Sequence, residues 1–200
     1  MSRFPDGPSP GSPADDGPQA DPVEVARTIC LTHLTAGPRS RAQLAAVLQR
    51  KGVPAEAAVA VLDRLTEVGL IDDAAFARAW VESRQSGRGL SRRALAHELR
   101  ARGVAPVELE SAVATIDEQS EAETARRLVQ RKIRGTRDLD EAVRVRRLAT
   151  MLARKGYPPG VSMKVVRDAL GSEQTAVPEL DEMDSDLGSE SSEEPAGTTG

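Results

Sequence analysis

The sequence predicts an all-α protein: three tandem three-helix repeats that form an elongated, curved array, with disordered N- and C-terminal tails. Apolar residues in the middle of the chain recur every three or four positions, as in amphipathic helices, and we find no strand-like alternation. A block with the pattern Leu-x3-Leu-x3-Gly occurs three times. Both ends are rich in Pro, Gly, Ser and acidic residues, a composition that does not support a packed core.

The repeated block ends at Gly52, Gly103 and Gly156, so its period is 51 and then 53 residues. In each copy a Leu stands eight and four residues before the Gly, and a Lys or Arg stands directly before it. A Pro follows soon after each Gly and favours the start of a new helix. Three matched copies indicate a repeat protein in which neighbouring units share a core.

These repeats divide the chain into five segments. The two tails hold too few aliphatic side chains to offset the entropy of the chain, so we expect them to be disordered. The segments are a tail at 1–21, repeats at 22–71, 72–118 and 119–171, and an acidic tail at 172–200.

Capping signals place the helices inside the repeats. Ser40 with Gln43 three positions later is a capping box that predicts the start of a middle helix, and Pro54 predicts the start of the third helix. In the second repeat the middle helix is predicted to follow Ser91. In the third repeat it is predicted to begin at Asp138.

The stretch around the only Trp is the junction of the first two repeats. Gly69 predicts the end of one helix, and Asp72 or Asp73 predicts a cap for the next. Phe76 and Trp80 stand four residues apart and therefore project from one helical face. We expect these two side chains to be structural anchors of the joint between the repeats.

The charge is distributed unevenly along the chain. Residues 22–170 hold 26 basic and 18 acidic residues, a net charge of +8, whereas residues 171–200 hold nine acidic and no basic residues. A basic body indicates a polyanionic partner. The acidic tail either keeps the protein soluble or folds back over the body and competes with that partner.

Arginines gather on helix faces opposite the apolar stripes, as helical projection shows for residues 121–134. A solvated face is the alternative interpretation, although such faces usually mix both signs of charge. Contacts with phosphates would give salt-dependent binding without sequence readout. The predicted contact residues are Arg84, Arg88, Arg92, Arg93, Arg127, Arg131, Arg134, Arg147 and Arg154.

The sequence contains no motif typical of an enzyme: we find no phosphate-binding loop, nucleophile elbow or metal-binding cluster. His33 and His97 have no second ligand at metal spacing, so we expect no metal and no cofactor. The lone Cys30 is predicted to be a packing residue and fits a reducing compartment. With no signal peptide and no long apolar run, the chain is expected to be cytoplasmic, away from membranes.

These motifs resemble those of the RecX family of bacterial recombinase regulators. The likeness covers roughly residues 22–170 and is most specific in the second repeat, in Gly69-Leu-Ile-Asp-Asp-Ala-Ala-Phe-Ala-Arg-Ala-Trp80 and the Arg84 that follows. The third block, which ends in Leu152-Ala-Arg-Lys-Gly-Tyr157, also resembles the family pattern, and the first repeat matches it least well.

The resemblance implies a non-enzymatic monomer that binds RecA nucleoprotein filaments and inhibits ATP hydrolysis, strand exchange, recombination and DNA repair in the SOS response. The family acts by lodging in the filament groove or by blocking filament growth. Single- or double-stranded DNA is a further expected partner. Two other functions stay open: a helical-repeat protein that binds DNA without RecA, and a protein–protein scaffold.

Overall fold

The computed structural model describes residues 21–175 and the side chains of residues 21–173. The predicted tails at 1–20 and 176–200 lie outside the described residues. Within 21–175 every regular element is helical, which confirms the all-α prediction. The α-helices are α1 Pro22–Thr35, α2 Arg41–Arg50, α3 Ala55–Glu67, α4 Asp73–Arg88, α5 Arg92–Ala101, α6 Pro106–Ala114, α7 Glu118–Ile133, α8 Glu141–Arg154 and α9 Pro159–Thr175, and a short 3-10 helix spans Arg134–Thr136.

The helices form three sets of three in chain order, but they pack as two compact units. One unit comprises residues 21–77 and 101–108, and the other comprises residues 78–100 and 109–175. In the first unit α1, α2 and α3 pack around a core of Ala26, Cys30, Leu44, Leu48, Val61, Leu62, Leu65 and Ile71. In the second unit α7 and α8 pack against α9, around a core that includes Leu128, Val129, Leu148, Leu152, Tyr157 and Val166.

The repeated sequence block is the middle helix of each set together with its C-terminal cap. Both leucines of every copy are at most 1% exposed: Leu44, Leu48, Leu95, Leu99, Leu148 and Leu152. The glycine that follows each helix has a left-handed backbone, with φ of +73° at Gly52, +71° at Gly103 and +88° at Gly156. The block therefore encodes a helix with two buried anchors and a sharp end.

The N-termini of two middle helices are capped by fully buried serines. The Ser40 hydroxyl accepts a hydrogen bond from the Gln43 amide at 3.2 Å, and the Gln43 side chain accepts one from the Ser40 amide at 3.1 Å. Ser91 accepts a hydrogen bond from the Ala94 amide at 3.2 Å. Both predicted caps are confirmed.

The next set of helices supplies a second partner for each of these N-termini. The Arg41 amide of α2 donates to the Asp73 carboxylate at 2.8 Å, and the Arg92 amide of α5 donates to the Glu121 carboxylate at 2.8 Å. A carboxylate is favourable there because it faces the positive end of the helix dipole. Asp73 thus caps a neighbouring helix, while Asp72 caps α4 by accepting from the Ala75 amide at 2.7 Å.

The block's C-terminal glycine completes each junction by close packing. A Cβ atom added to Gly103 would lie 2.3 Å from the Ala42 Cβ, and one added to Gly156 would lie 2.6 Å from the Ser91 Oγ. Gly52, which has no preceding repeat, has nothing within 4 Å of that position. Positions 103 and 156 therefore require glycine for two reasons: the backbone is left-handed there, and a side chain would collide with the neighbouring helix or its cap.

Three boundaries differ from the predicted positions by one to four residues. α3 begins at Ala55, and Pro54 is its N-cap residue. α8 begins at Glu141 rather than Asp138, because a 3-10 helix and turns occupy the chain before Asp140. α9 continues to Thr175, beyond the predicted boundary at 171, and its last turn is held by ion pairs from the Glu173 carboxylate to Arg137 and Arg144.

The junction glycines give a stability test. Gly156→Ala should lower the free energy of unfolding by about 3 kcal/mol or more, because backbone strain at a left-handed residue adds to overpacking against α5. Gly52→Ala is the matched control, with the strain but no close neighbour, and should lower it by about 1–2 kcal/mol. Urea denaturation of both variants measures the difference; equal losses would show that the close approach costs nothing.

Candidate nucleic-acid interface

A groove in the second unit, with a volume of about 920 Å³, is lined by several basic side chains. We call it the basic groove. Its apolar and small lining residues are Leu90, Gly135, Thr136, Val143, Leu148, Thr150 and Met151. Six basic side chains line it, and none of the described residues that line it is acidic: Arg88, Lys132, Arg146, Arg147, Arg154 and Lys155.

The periodicity of α8 explains how one helix supplies so much of this groove. Leu148 and Leu152 face the core, whereas Val143, Arg147 and Arg154 recur at spacings of four and seven on the groove side. Arg147 and Arg154 are exposed, so their guanidinium groups can reach a ligand. The helix thus presents an apolar floor with cations at its rim.

Lys155 lies among other positive charges, those of Arg88 and Arg131. Burial lowers the pKa of its ammonium group, and the charges of Arg131 and Arg88 lower that pKa further. Its Nζ donates a hydrogen bond to the Arg88 backbone carbonyl. An anion bound here would offset the repulsion, which is a physical reason for the groove to take a negatively charged ligand.

A second hollow on the same unit adjoins this region of charge. It has a volume of about 570 Å³ and includes Arg127 and Arg131 of α7 together with Gln85 and Ser86 of α4. Arg127 donates to the Thr124 hydroxyl at 2.9 Å. Gly89 and Arg131 in this hollow are the chain neighbours of Arg88 and Lys132 in the basic groove, so the two hollows lie next to each other.

The nine predicted arginines divide into two groups. Five line the two basic hollows: Arg88, Arg147, Arg154, Arg127 and Arg131. Arg92 and Arg93 line neither, and Arg134 lies in another hollow that includes Asp168 and Glu173.

Arg84 is engaged within the protein. Its guanidinium lies over the Trp80 ring, 4.2 Å from the centroid, and its Nε is 3.7 Å from the Glu98 carboxylate. Trp80 in turn donates to that carboxylate at 2.8 Å. We therefore leave Arg84 out of the proposed surface. Phe76 is buried and Trp80 is half-buried, and their role at the joint between repeats stays a prediction.

Three groove cations are absent from the predicted contact residues: Lys132, Lys155 and Arg146, although helical projection places Arg146 on the outward face of its helix. The signal for Lys155 was present, because a basic residue precedes the glycine of every repeated block. Its importance depends on the junction at Gly156, which no projection of a single helix can show.

Tyr157 fixes the backbone behind the groove. Its buried hydroxyl donates to the Gly89 carbonyl at 3.2 Å, next to the Arg88 carbonyl that Lys155 contacts. Burial, then the charge of Glu121, raises the pKa of the phenol to about 12, against a smaller opposite effect of Arg127. The tyrosine therefore stays neutral and holds the ends of α4 and α8 together.

The described residues contain no group of three or more acidic, His or Cys side chains placed to hold a metal ion. Nor do they include a helix that is long and apolar enough to cross a membrane.

Comparison with known proteins decides the family. Residues 26–65, 72–113 and 119–166 match, in order, the first, second and third three-helix domains of RecX. The chain belongs to the RecX family. It is 56% identical over 168 residues to the regulatory protein RecX of Streptomyces coelicolor, covering 84% of this chain and 89% of that protein. It is 50% identical over 172 residues to the regulatory protein RecX of Thermobifida fusca, covering 86% and 91%.

A solved RecX structure supports the fold. The crystal structure of RecX from Lactobacillus salivarius superposes with a TM-score of 0.68 and covers 75% of this chain and 97% of that one. At 15% identity the likeness concerns the fold alone. Together with the three domain matches, it confirms the prediction of a RecX-family helical repeat.

Tyr157 is the only tyrosine, so its ionisation can be read directly from phenolate absorbance. The native chain should titrate with a midpoint near pH 12, and the denatured chain near the ordinary value of about 10. Since the folded pKa is the higher one, the neutral phenol stabilises the fold fully below pH 10, and this stabilisation is lost as the pH rises towards 12.

Tyr157→Phe is the control for that titration. It should remove the native absorbance change and flatten the extra fall in stability between pH 10 and 12, compared with the wild-type chain at the same pH. A native midpoint near pH 10 would show that the hydroxyl is solvated rather than buried against Gly89.

Proposed function

We propose that this chain is a regulatory protein that binds RecA nucleoprotein filaments and inhibits RecA ATPase, strand exchange, recombination and DNA repair. The observation that carries the proposal is the basic groove, where six cations meet without an acidic neighbour among the described lining residues. Membership of the RecX family and the names of the relatives, regulatory protein RecX, support the regulatory role.

The groove suits a phosphate backbone better than a compact anion. Its cations are spread over the end of α4, α7 and the length of α8, and apolar residues lie between them. Contacts of this kind neutralise phosphates and release counterions, so they give affinity that falls steeply with salt and does not depend on base sequence. A protein that follows a recombination filament needs this lack of sequence preference.

The proposed contact residues are the five predicted arginines of the two hollows, with Lys132, Arg146 and Lys155 added. No catalytic group is invoked: inhibition would follow from occupancy of the filament. We expect the protein to act as a cytoplasmic monomer, without a cofactor.

The test is RecA's single-strand-dependent ATPase, measured with substoichiometric amounts of the protein. Replacing Arg146, Arg147 and Arg154 by Gln should weaken inhibition by about tenfold or more. The slope of log affinity against log salt should fall by about 2, since each lost phosphate contact on a single strand contributes about 0.7.

A matched control removes the same charge elsewhere. Arg39, Arg50 and Lys51 are exposed in the first unit and outside the basic groove, so their replacement by Gln should leave inhibition within about twofold. Equal weakening in both triple variants would mean that net charge, not the groove, sets the activity.

The alternative of a DNA-binding protein that acts without RecA is also supported by the groove, because its chemistry recognises phosphates wherever they occur. Binding to a naked single strand, compared with binding to a RecA-coated strand at the same salt, separates the two functions. Equal affinity for both would favour the alternative.

A further inference from the structure

We propose that the acidic C-terminal segment of this chain, residues 179–194, docks in the basic groove of the same molecule and competes there with the polyanionic partner. The competition rests on the proposed function, whereas the docking itself does not. Three observations support the inference: where the last helix ends, what charges follow it, and how the groove's neighbours already bind a carboxylate.

Near its end the last helix contacts a residue that is bonded to the lining of the groove. Near the end of α9 the Glu173 carboxylate binds Arg144 of α8, and the Arg144 guanidinium donates to the Thr136 hydroxyl at 3.2 Å. Thr136 lines the basic groove, as does Val143, the neighbour of Arg144 in the sequence. From Thr175 to Glu179 the chain spans at most about 14 Å, so the first acid of the segment starts within reach of the rim.

The charges are complementary in sign and similar in number. Residues 176–200 hold no Lys or Arg and eight acidic residues, all of them between 179 and 194. The basic groove offers six cations in the same unit. Its apolar floor also has possible counterparts in Leu180, Met183 and Leu187, which are interspersed among the acids.

Glu173 shows that this part of the protein binds carboxylates from its own C-terminal end. Two arginines, Arg137 and Arg144, form ion pairs with it. Glu179 and the acids that follow would extend this pattern along α8, from Arg144 towards Arg147 and Arg154.

Tethering makes weak docking effective. A short tether gives an effective concentration on the order of 1 mM, so a segment whose intrinsic dissociation constant is about 0.25 mM would lower the apparent affinity for a competitor about fivefold. Salt screens docking and partner binding alike, so the effect should be largest at low salt.

The experiment uses the full chain and removes the charges rather than the segment. The eight acids are replaced by their amides: Glu179, Asp181, Glu182, Asp184, Asp186, Glu190, Glu193 and Glu194. Affinity for a fluorescent oligo-dT strand should rise about fivefold at about 50 mM salt, and the difference should shrink towards about 300 mM. Amides at Asp6, Asp15 and Asp16 are the control and should change the affinity less than twofold. An unchanged affinity in the eight-amide variant would overturn the competition and leave the segment a solubilising role.

Combining the eight amides with the groove variant separates docking from a general effect of net charge. If the segment docks in the groove, removing Arg146, Arg147 and Arg154 should abolish most of the gain that the amides produce. If the amides raise affinity equally in both backgrounds, the effect is a long-range one and the docking is wrong.

Amide spectra test the docking without any nucleic acid. Between the full chain and the eight-amide variant, ¹H–¹⁵N shifts within residues 21–175 should change mainly at Gly135, Thr136 and the groove side of α8. Such changes would uphold the docking even if RecA inhibition failed, whereas their absence would overturn it and leave the proposed function standing.

Discussion

The structure depends on how the N-termini of the middle helices are satisfied. A helix leaves its first amide groups without intrahelical partners, and burying them unpaired is costly. At α2 and α5 a buried serine takes one amide, and a carboxylate from the next set of helices takes another: Asp73 for Arg41, and Glu121 for Arg92. A backbone carbonyl at the end of the following middle helix completes the contact, with Arg102 bonded to Ser40 and Lys155 bonded to Ser91. Successive repeats are therefore joined by polar groups that neither could satisfy alone.

The second of these junctions also assembles the basic region. Gly156 allows the end of α8 to approach Ser91 and Ala94, and this approach brings Lys155 to the carbonyl of Arg88. Tyr157, two residues after Lys155, adds a second bond at the same place, because its hydroxyl donates to the Gly89 carbonyl. Packing thus brings like charges together, and their electrostatic repulsion is unfavourable. An anionic ligand would reduce that repulsion. The stability of the repeat and its proposed binding activity consequently share residues.

The third set of helices departs from the pattern in a way that matters for the C-terminal segment. The residue twelve positions before the block glycine is a capping serine in the first two sets, Ser40 and Ser91. In the third set it is Arg144, a cation. Relative to that glycine, α8 begins four residues earlier than α2 and α5 do, after Asp140, and Arg144 binds Glu173 of α9. Within residues 21–175 no carboxylate from another helix caps the N-terminus of α8 in the way that Asp73 and Glu121 cap α2 and α5. The ion pair of Arg144 with Glu173 places the end of α9 close to Thr136, which lines the basic groove, and that proximity is the basis of the proposed competition.

The sequence by itself determined the helical class, the three blocks and most of their ends, because these follow from local physics: apolar periodicity, serine caps and glycines with left-handed backbones. It also located five of the arginines that line the basic hollows, since a helix separates its apolar and charged faces. Tertiary structure decided the rest. Asp73 caps a neighbouring helix instead of its own, Arg84 is held by Trp80 and Glu98, and Lys155 enters the groove. Each of these side chains has a partner at least fourteen residues away in the chain: Arg41 for Asp73, Glu98 for Arg84 and Arg88 for Lys155. Periodicity within one helix carries no information about such partners.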